Sequence, residues 1–316
     1  MKVSEIIEKL KGLGFKEDVI KRYNEPHRFY HTQKHICDLI SVLSNRQQLT
    51  DELFLTAVYH DAVYWPSSAT NEEDSADLFV KEAQVAKYPI DKINTIKQWI
   101  LETKTHTPSS QQSEHFIKAD LQIFERPLGD LLDYEMQIFK EFQFVDYLDY
   151  RRERIKVLEK FNSNANVAAL IEYVKTRKPL IGVFCGSFNP FHRGHYNVLQ
   201  KAELICDKVI IAFGKNPDKS DRNWPIPQTL KNRQLTEYNG LLTDFLDSLG
   251  YDVIVIRGLR NSTDFQYEQN QYRYIQELKP KVKIINIFCD KEFEHISSSG
   301  IRTLEKYGKH QNYLLD

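Results

Sequence analysis

The sequence predicts two domains of different class, an all-α N-terminal half and an α/β half built on a parallel sheet. Residues 1 to about 165 read as helix after helix, with strand-like runs nearly absent. From about Lys178, short β-branched runs alternate with helical stretches, the pattern of a parallel sheet with helices on both faces. The length, 316 residues, suits two ordinary domains. We place the helical domain at 1–165, a linker helix at 166–178 and the α/β domain at 179–316, with the Asn162-Ser163-Asn164-Ala165-Asn166 cluster at the join.

Composition narrows the function classes. Hydrophobic residues at 41% are enough for full cores, and 43 Lys+Arg against 44 Asp+Glu give a formal charge of −1. No bulk field favours nucleic acid or an acidic membrane, so any anion site is local. Cys37, Cys185, Cys206 and Cys289 have no close spacing and read as reduced, buried thiols. The N-terminus, MKVSEIIEKLKGLGF, is a short amphipathic helix rather than a signal peptide, and no apolar run approaches transmembrane length. The expectation is a soluble cytoplasmic protein without nucleic-acid or membrane partners.

In the first half, periodicity predicts helices at Ser4–Leu13, Gln33–Leu43, Glu52–Tyr59, Glu72–Ala86 and Ile90–Glu102, then a long pattern near Leu131–Phe161. Met136, Phe139, Phe142, Phe144 and Tyr147 read as the aromatic core face of that pattern, and Tyr150-Arg151-Arg152-Glu153-Arg154 as a solvated face. Histidines and acids are grouped on these elements. Tyr30-His31-Thr32-Gln33-Lys34-His35 opens one helix, and Tyr59-His60-Asp61 ends another. Asn71-Glu72-Glu73-Asp74-Ser75-Ala76 begins a third, Thr103-Lys104-Thr105-His106 follows a fourth, and Ala119-Asp120-Leu121 comes later. Imidazole and carboxylate together suit Mn, Fe, Ni, Zn or Mg.

This set resembles the HD superfamily of metal-dependent phosphohydrolases over roughly residues 20 to 160. The resemblance implies His35, His60, Asp61 and Asp120 as metal ligands, and a bound water that attacks phosphorus. His31 then protonates the leaving group or holds the phosphate; an alternative swaps His31 and His35. Glu72 and His106 are candidates for a second metal, outer-sphere or substrate contact. The implied substrate is a phosphate ester or anhydride of unassigned identity, a nucleotide among the candidates. A second reading makes this half a regulatory or oligomerisation module.

In the second half, Leu180–Cys185, Lys208–Phe213, Asp252–Ile256 and Lys283–Phe288 read as strands. The first runs into Gly186-Ser187-Phe188-Asn189-Pro190-Phe191-His192-Arg193-Gly194-His195, and Val198, Leu199, Ala202 and Ile205 then share a helical face. A strand turning through a glycine-bearing loop into a helix presents backbone N–H groups to phosphate, and His192 and His195 add donors there. Ser297-Ser298-Ser299 opens a later helix; such a run by itself is normally a cap.

With Gly214–Lys219, Gly240–Phe245, the segment Ile256-Arg257-Gly258-Leu259-Arg260 through Asp264-Phe265-Gln266-Tyr267-Glu268, and His295–Arg302, this stretch resembles the phosphopantetheine adenylyltransferase family of the cytidylyltransferase-like superfamily. The resemblance implies a Rossmann-like fold and Mg-ATP as co-substrate. It makes His195 the principal transition-state stabiliser and gives His192 the triphosphate or leaving group. Gly186, Ser187 and Phe188 form the loop that positions the acceptor phosphate, and Lys219 binds that phosphate and the α-phosphate. Arg257 and Gly258 contact the acceptor, Arg260 the triphosphate and Glu268 the ATP site, while Ser297, Ser298 and Ser299 take the β- and γ-phosphates. Compared with the family, the stretch from Lys219 to Gly240 is short, as though a helix and a strand beside the acceptor site were largely missing. His192 stands where the family usually has threonine, a feature of mononucleotide adenylyltransferases. The partners expected are ATP and a small phosphorylated acceptor, 4′-phosphopantetheine first and a mononucleotide second. The family's usual hexamer leaves a homo-oligomer open.

Overall fold

The computed structural model describes residues 1–215 and 224–316. The chain divides into one unit of Met1–Phe142 with Arg152–Lys175, and a second of Gln143–Arg151 with Thr176–Asp316. Among the described residues no helix is long and apolar enough to cross a membrane.

The N-terminal half is helical: α1 Val3–Gly12, α2 Asp18–Arg22, α3 Gln33–Asn45, α4 Asp51–Tyr59, α5 Asn71–Val85, α6 Ile90–Glu102, α7 Gln111–Asp120, α8 Leu128–Glu141, α9 Tyr147–Lys160 and α10 Ala165–Thr176. Its core forms where apolar stripes meet. On α3, Ile36, Leu39, Ile40 and Leu43 are buried, and His35 shares that face one turn before Leu39. Helix α4 is buried along its length from Leu53 to Tyr59, with Thr50 accepting the Leu53 N–H at its start. It delivers His60 directly beyond its last residue. The Arg28 side chain is buried and donates to the carbonyls of Asp61 (2.8 Å), Ala62 (3.2 Å) and His31 (3.3 Å). One guanidinium thus ties the loop after α4 to the loop before α3, satisfying carbonyls that no helix can reach.

The long pattern at 131–161 is corrected to two helices, α8 and α9. The break is made by contacts remote in sequence. Asp146 accepts the Leu148 N–H (2.8 Å), the Tyr251 hydroxyl (2.8 Å) and the Gln234 amide (3.3 Å). The short span Gln143–Arg151 therefore belongs with the second unit. It also covers Lys208, an almost fully buried lysine that donates to the carbonyls of Gln143 and Val145. Burial lowers the pKa of Lys208 to about 7, against the pull of Asp146. The solvated face expected at 150–154 is corrected in part: Arg152 and Glu153 are exposed, but Tyr150 and Arg154 are buried, and Arg154 Nε meets Glu135 at 2.7 Å.

The second half carries β1 Ile181–Gly186, α11 Arg193–Ile205, β2 Lys208–Lys215, β3 Gln234–Asn239, α12 Leu242–Ser248, β4 Ile254–Leu259, α13 Ser262–Leu278, β5 Lys283–Phe288 and α14 Ser298–Glu305. Five parallel strands lie in the order β3-β2-β1-β4-β5. The central strands β1 and β2 are buried on both faces and read as unbroken apolar runs. The edge strand β3 is half-exposed and polar, which is why its sequence, Gln-Leu-Thr-Glu-Tyr-Asn, does not announce a strand. The expected loss of a strand between Lys219 and Gly240 is corrected by β3; besides it, the described residues of that stretch hold one 3-10 turn, Gln228–Leu230.

Because Asp146 gathers three donors from separate parts of the second unit, Asp146→Ala should destabilise that unit by about 2 kcal/mol. Urea unfolding of the full chain measures it, with the first unit's transition unmoved.

Candidate functional site

The sheet order places the topological switch between β1 and β4, and in open parallel sheets the crevice beyond the carboxyl ends of such strands receives ligands. A cavity of about 870 Å³ occupies that position. Its wall includes Gly186, Ser187 and Phe188 after β1, His192 and His195 at the start of α11, and Arg257, Gly258 and Arg260 on and after β4. Glu268 of α13 and Ser297, Ser298 and Ser299 at the start of α14 complete it. Every residue assigned from the sequence to the second half's site thus lines this one cavity except Lys219, which lies outside the described residues.

Local packing dictates this arrangement. Phe188 has φ +42°, the left-handed region that L side chains rarely adopt. Its ring then lies against the α-carbon of Gly186, where a Cβ would meet Phe188 Cε1 at 2.9 Å, so only glycine fits. The same ring meets His195 edge-on with centroids 4.9 Å apart, and Phe191 flanks His195 at 5.3 Å. The imidazole of His195 is thereby held in an apolar aromatic sleeve.

The two imidazoles cap their own helix. His192 Nδ1 accepts the N–H of Gly194 (3.1 Å) and of His195 (3.4 Å), while His195 Nδ1 accepts the N–H of His192 (3.4 Å). The rings stack at 3.7 Å. Burial, helped by Arg260, pushes the pKa of His192 down to about 3; burial, then His192 and Arg260, takes His195 well below the ordinary value. Both rings are therefore neutral at pH 7. A nitrogen that accepts carries no proton, so each ring keeps its proton on Nε2. The helix start thus turns both histidines into N–H donors of fixed tautomer on the cavity wall.

The arginines are held by α13. Arg260 forms a fork with Asp264, Nε to Oδ2 and an Nη to Oδ1 both at 2.8 Å, and its backbone N–H meets the same carboxylate at 3.0 Å. Arg257 Nε lies 3.2 Å from Glu268 Oε2. Burial raises the Glu268 pKa against the opposing charge of Arg257. Asp264 is a site residue absent from the sequence assignment, although its place four residues after Arg260 on one helical face was a signal. At α14, the Ser297 hydroxyl accepts the Gly300 N–H (3.0 Å), the ordinary cap, and the Ser298 hydroxyl donates to the Pro190 carbonyl (3.0 Å). Arg302 donates to the Asn189 carbonyl. Helix α14 is thus bolted to the loop that carries the histidines.

In the first unit a separate cluster forms. His35 comes from α3, His60 and Asp61 from the end of α4, and Asp120 from the end of α7. His35 Nε2 lies 3.3 Å from His60 Nε2 and 3.2 Å from Asp120 Oδ1. His60 Nε2 lies 3.1 Å from Asp61 Oδ2 and 3.6 Å from Asp120 Oδ1. Ligand atoms of His35, His60 and Asp120 all fall within 4.8 Å of one another. The His60 ring lies with Nδ1 3.0 Å from the Ala57 carbonyl, which leaves Nε2 for the cluster. Burial opposes charge here, yet Asp61 and Asp120 raise the pKa of His60, and the histidines hold both carboxyls well below their usual range.

His31 stands beside this cluster in the grip of Glu141. One carboxylate accepts the backbone N–H groups of Phe29 (2.8 Å), Tyr30 (2.7 Å) and His31 (3.0 Å), the His31 ring (2.7 Å) and the Tyr64 hydroxyl (2.8 Å). Burial opposes its ionisation, but the charge and hydrogen bonds of His31 bring the Glu141 pKa down to about 2. The sequence reading missed Glu141, which lies 110 residues from His31 with no motif around it. Of the two further candidates, Glu72 has Lys104 at 3.9 Å, and the His106 ring packs on Phe161.

Comparison with known proteins agrees with the second half's geometry. The cytidylyltransferase-like family model matches residues 183–304. A phosphopantetheine adenylyltransferase of Mycoplasma capricolum subsp. capricolum is 35% identical over 139 residues, 41% of this chain and 99% of that protein. That of Mycoplasma mycoides subsp. mycoides SC is 36% identical over 137 residues, 40% of this chain and 97% of its own. That of Levilactobacillus brevis is 34% identical over 137 residues, 40% and 84% respectively.

Both imidazoles ionise at lower pH when folded than their ordinary value of 6.5, so the unfolded chain takes up more protons between pH 6.5 and about 3. Stability of the second unit falls as pH drops through that window. His192→Asn keeps an acceptor at the cap but does not titrate. It should reduce the stability lost between pH 7 and pH 5 by about 1–2 kcal/mol, read from denaturant midpoints at the two pH values.

Proposed function

The chain belongs, through its C-terminal domain, to the phosphopantetheine adenylyltransferase family, and from that premise we propose that this domain transfers the adenylyl group of Mg-ATP to the phosphate of 4′-phosphopantetheine. A phosphate oxygen of the acceptor forms a bond to the α-phosphorus, the bond to the β-phosphate oxygen breaks, and dephospho-coenzyme A and pyrophosphate result. Charge grows on the phosphoryl oxygens during the transfer, so donors fixed in advance do most of the catalysis. The observation that carries this reading is the pair His192 and His195, neutral, locked as Nε2–H donors and lining one cavity with Arg257 and Arg260.

In this reading His195 Nε2–H meets the transferring phosphoryl group and His192 the leaving pyrophosphate. Arg257, beside Gly258, takes the acceptor, and the Ser187 loop with Gly186 and Phe188 positions its phosphate. Arg260 and the serines at 297–299 take the ATP phosphates, and Lys219 binds the acceptor phosphate and the α-phosphate. Glu268 keeps Arg257 oriented until the substrates arrive, as Asp264 does Arg260. Mg²⁺ enters with ATP as part of the substrate.

The test is pyrophosphate release from Mg-ATP with phosphopantetheine, nicotinamide mononucleotide or glycerol phosphate in separate reactions. Turnover with phosphopantetheine alone is expected; preference for the mononucleotide would replace the acceptor and keep the chemistry. His195→Ala should lower kcat about 10²–10³-fold with a native circular dichroism spectrum, and near-normal turnover would remove its role.

A second activity is favoured by a specific observation, the convergence of His35, His60, Asp61 and Asp120 from three helices. We propose metal-dependent hydrolysis of a phosphate ester at this centre. The donor set fits a divalent ion such as Mn, Fe, Ni, Zn or Mg: imidazole Nε2 atoms and carboxylate oxygens already lie within reach of one point. When bound, such an ion supplies a water acidic enough to be hydroxide near neutral pH. His31, oriented by Glu141, gives its proton to the leaving oxygen. Asp61→Ala should abolish metal retention, read by elemental analysis after Mn²⁺ loading, and phosphate release with it. Adenylyl transfer should stay within about twofold of wild type, since the two sites share no residues; a helical half that binds no metal when intact would reduce it to a regulatory module.

A further inference from the structure

The cavities at the two candidate sites differ in charge, and the difference says what the one beside His35 and Asp120 accepts. Cations outnumber acids on the wall of the C-terminal cavity, with Lys215, Arg257, Arg260 and Arg302 against Asp264 and Glu268, as suits a polyphosphate. The N-terminal cavity, about 470 Å³, includes His35 and Asp120 in its wall and so adjoins the cluster described above. Apart from that cluster, its wall carries two cations, Lys34 and Arg126, against three carboxylates, Asp38, Asp130 and Asp133.

Lys34 is already paired with Asp38 at 3.0 Å. A ligand therefore faces one cation, Arg126, and two exposed carboxylates, Asp130 and Asp133, in the first two turns of α8. None of these three makes an ion pair among the described residues. The rest of the wall is uncharged, aromatic, aliphatic, amide or hydroxyl, including Phe29, Tyr30, Ile123, Gln122 and Gln137. Since His35 and Asp120 belong to both the cavity wall and the ligand cluster, the organic body of a phosphate engaged at the cluster would lie against these groups. A second anion on that body would sit among carboxylates; an uncharged body meets rings to pack on and amides to hydrogen-bond.

Resting on the hydrolase reading above, we propose that the N-terminal site selects phosphomonoesters whose body bears no second negative charge. Nucleoside polyphosphates, pyrophosphate and acidic sugar or glycerate phosphates are then poor substrates. Alcohol phosphates with neutral, hydroxyl- or amide-bearing bodies are good ones. The selectivity is electrostatic repulsion through exposed carboxylates, so each contributes a few-fold and added salt weakens it.

Glycerol 3-phosphate and 3-phosphoglycerate isolate the effect, because they match in length and differ by one carboxylate. With full-length protein and Mn²⁺ at low salt, kcat/KM should favour glycerol 3-phosphate by about tenfold. The double variant Asp130→Asn/Asp133→Asn should bring that ratio close to parity, and 0.5 M NaCl should narrow it in the wild type. Thermal stabilisation of the protein by each compound, read apart from turnover, should follow the same order. Equal use of 3-phosphoglycerate, or a ratio that neither variant nor salt moves, overturns this selectivity while leaving ester hydrolysis standing. No hydrolysis of either compound or of p-nitrophenyl phosphate, together with no retained metal, overturns the hydrolase reading and the selectivity with it.

Discussion

The second domain depends on how the first turn of α11 is closed. A helix start leaves backbone N–H groups unsatisfied, and most proteins answer with a serine, threonine or aspartate. Here two imidazoles answer, each accepting from the backbone at the other's position. The exchange fixes where α11 begins, which ring nitrogen is bare and which carries hydrogen. It also requires both rings to stay neutral, since a proton on Nδ1 would break the cap. Burial among Phe188, Phe191 and Phe184 enforces that neutrality. Stability of the fold and readiness of the donors are thus one requirement. The left-handed backbone of Phe188, a conformation that costs roughly 1–3 kcal/mol, is the local expense of bringing that ring over His195.

The arginines obey a different rule. A guanidinium is always charged, so it has to be partnered while the cavity holds no substrate. Helix α13 supplies Asp264 and Glu268 one turn apart, one for each arginine. These pairs keep Arg257 and Arg260 extended toward the cavity and limit its net positive charge. Substrate phosphates then compete with carboxylates that are already in place, which favours ligands with several phosphate oxygens over a single anion.

Glu141 does for the helical half what the imidazole cap does for the α/β half. A single buried carboxylate collects three successive backbone N–H groups from residues 29–31, together with His31 and Tyr64. That many donors stabilise the ionised form despite burial, and they fold the chain before α3 into the turn that presents His31 beside His35. Arg28, one residue earlier than this turn, fixes the loop of His60 and Asp61 to the same place. The convergent imidazoles and carboxylates are therefore held by charged groups outside the cluster, not by the helices alone.

The sequence by itself determined the helical character of the first half, the parallel sheet of the second and the loop that carries His192 and His195. Those features rest on local periodicity, on glycine at a position where no Cβ fits, and on chemistry-bearing residues at short spacing. The resemblance to two families, carried by short motifs, named the side chains assigned to each site. It did not reveal β3, whose polar edge-strand sequence lacks an apolar run. It did not reveal the break between α8 and α9, which Tyr251 and Gln234 impose through Asp146 from about a hundred residues away. Nor did it reveal Glu141 or the pairing of Asp264 with Arg260 as parts of the sites. Tertiary structure alone decided which hydroxyl of the serine run is spent on a cap, which imidazole nitrogen faces the cavity and which carboxylates surround each ligand. These are matters of distance between segments, and periodicity along a chain carries no information about distance across it.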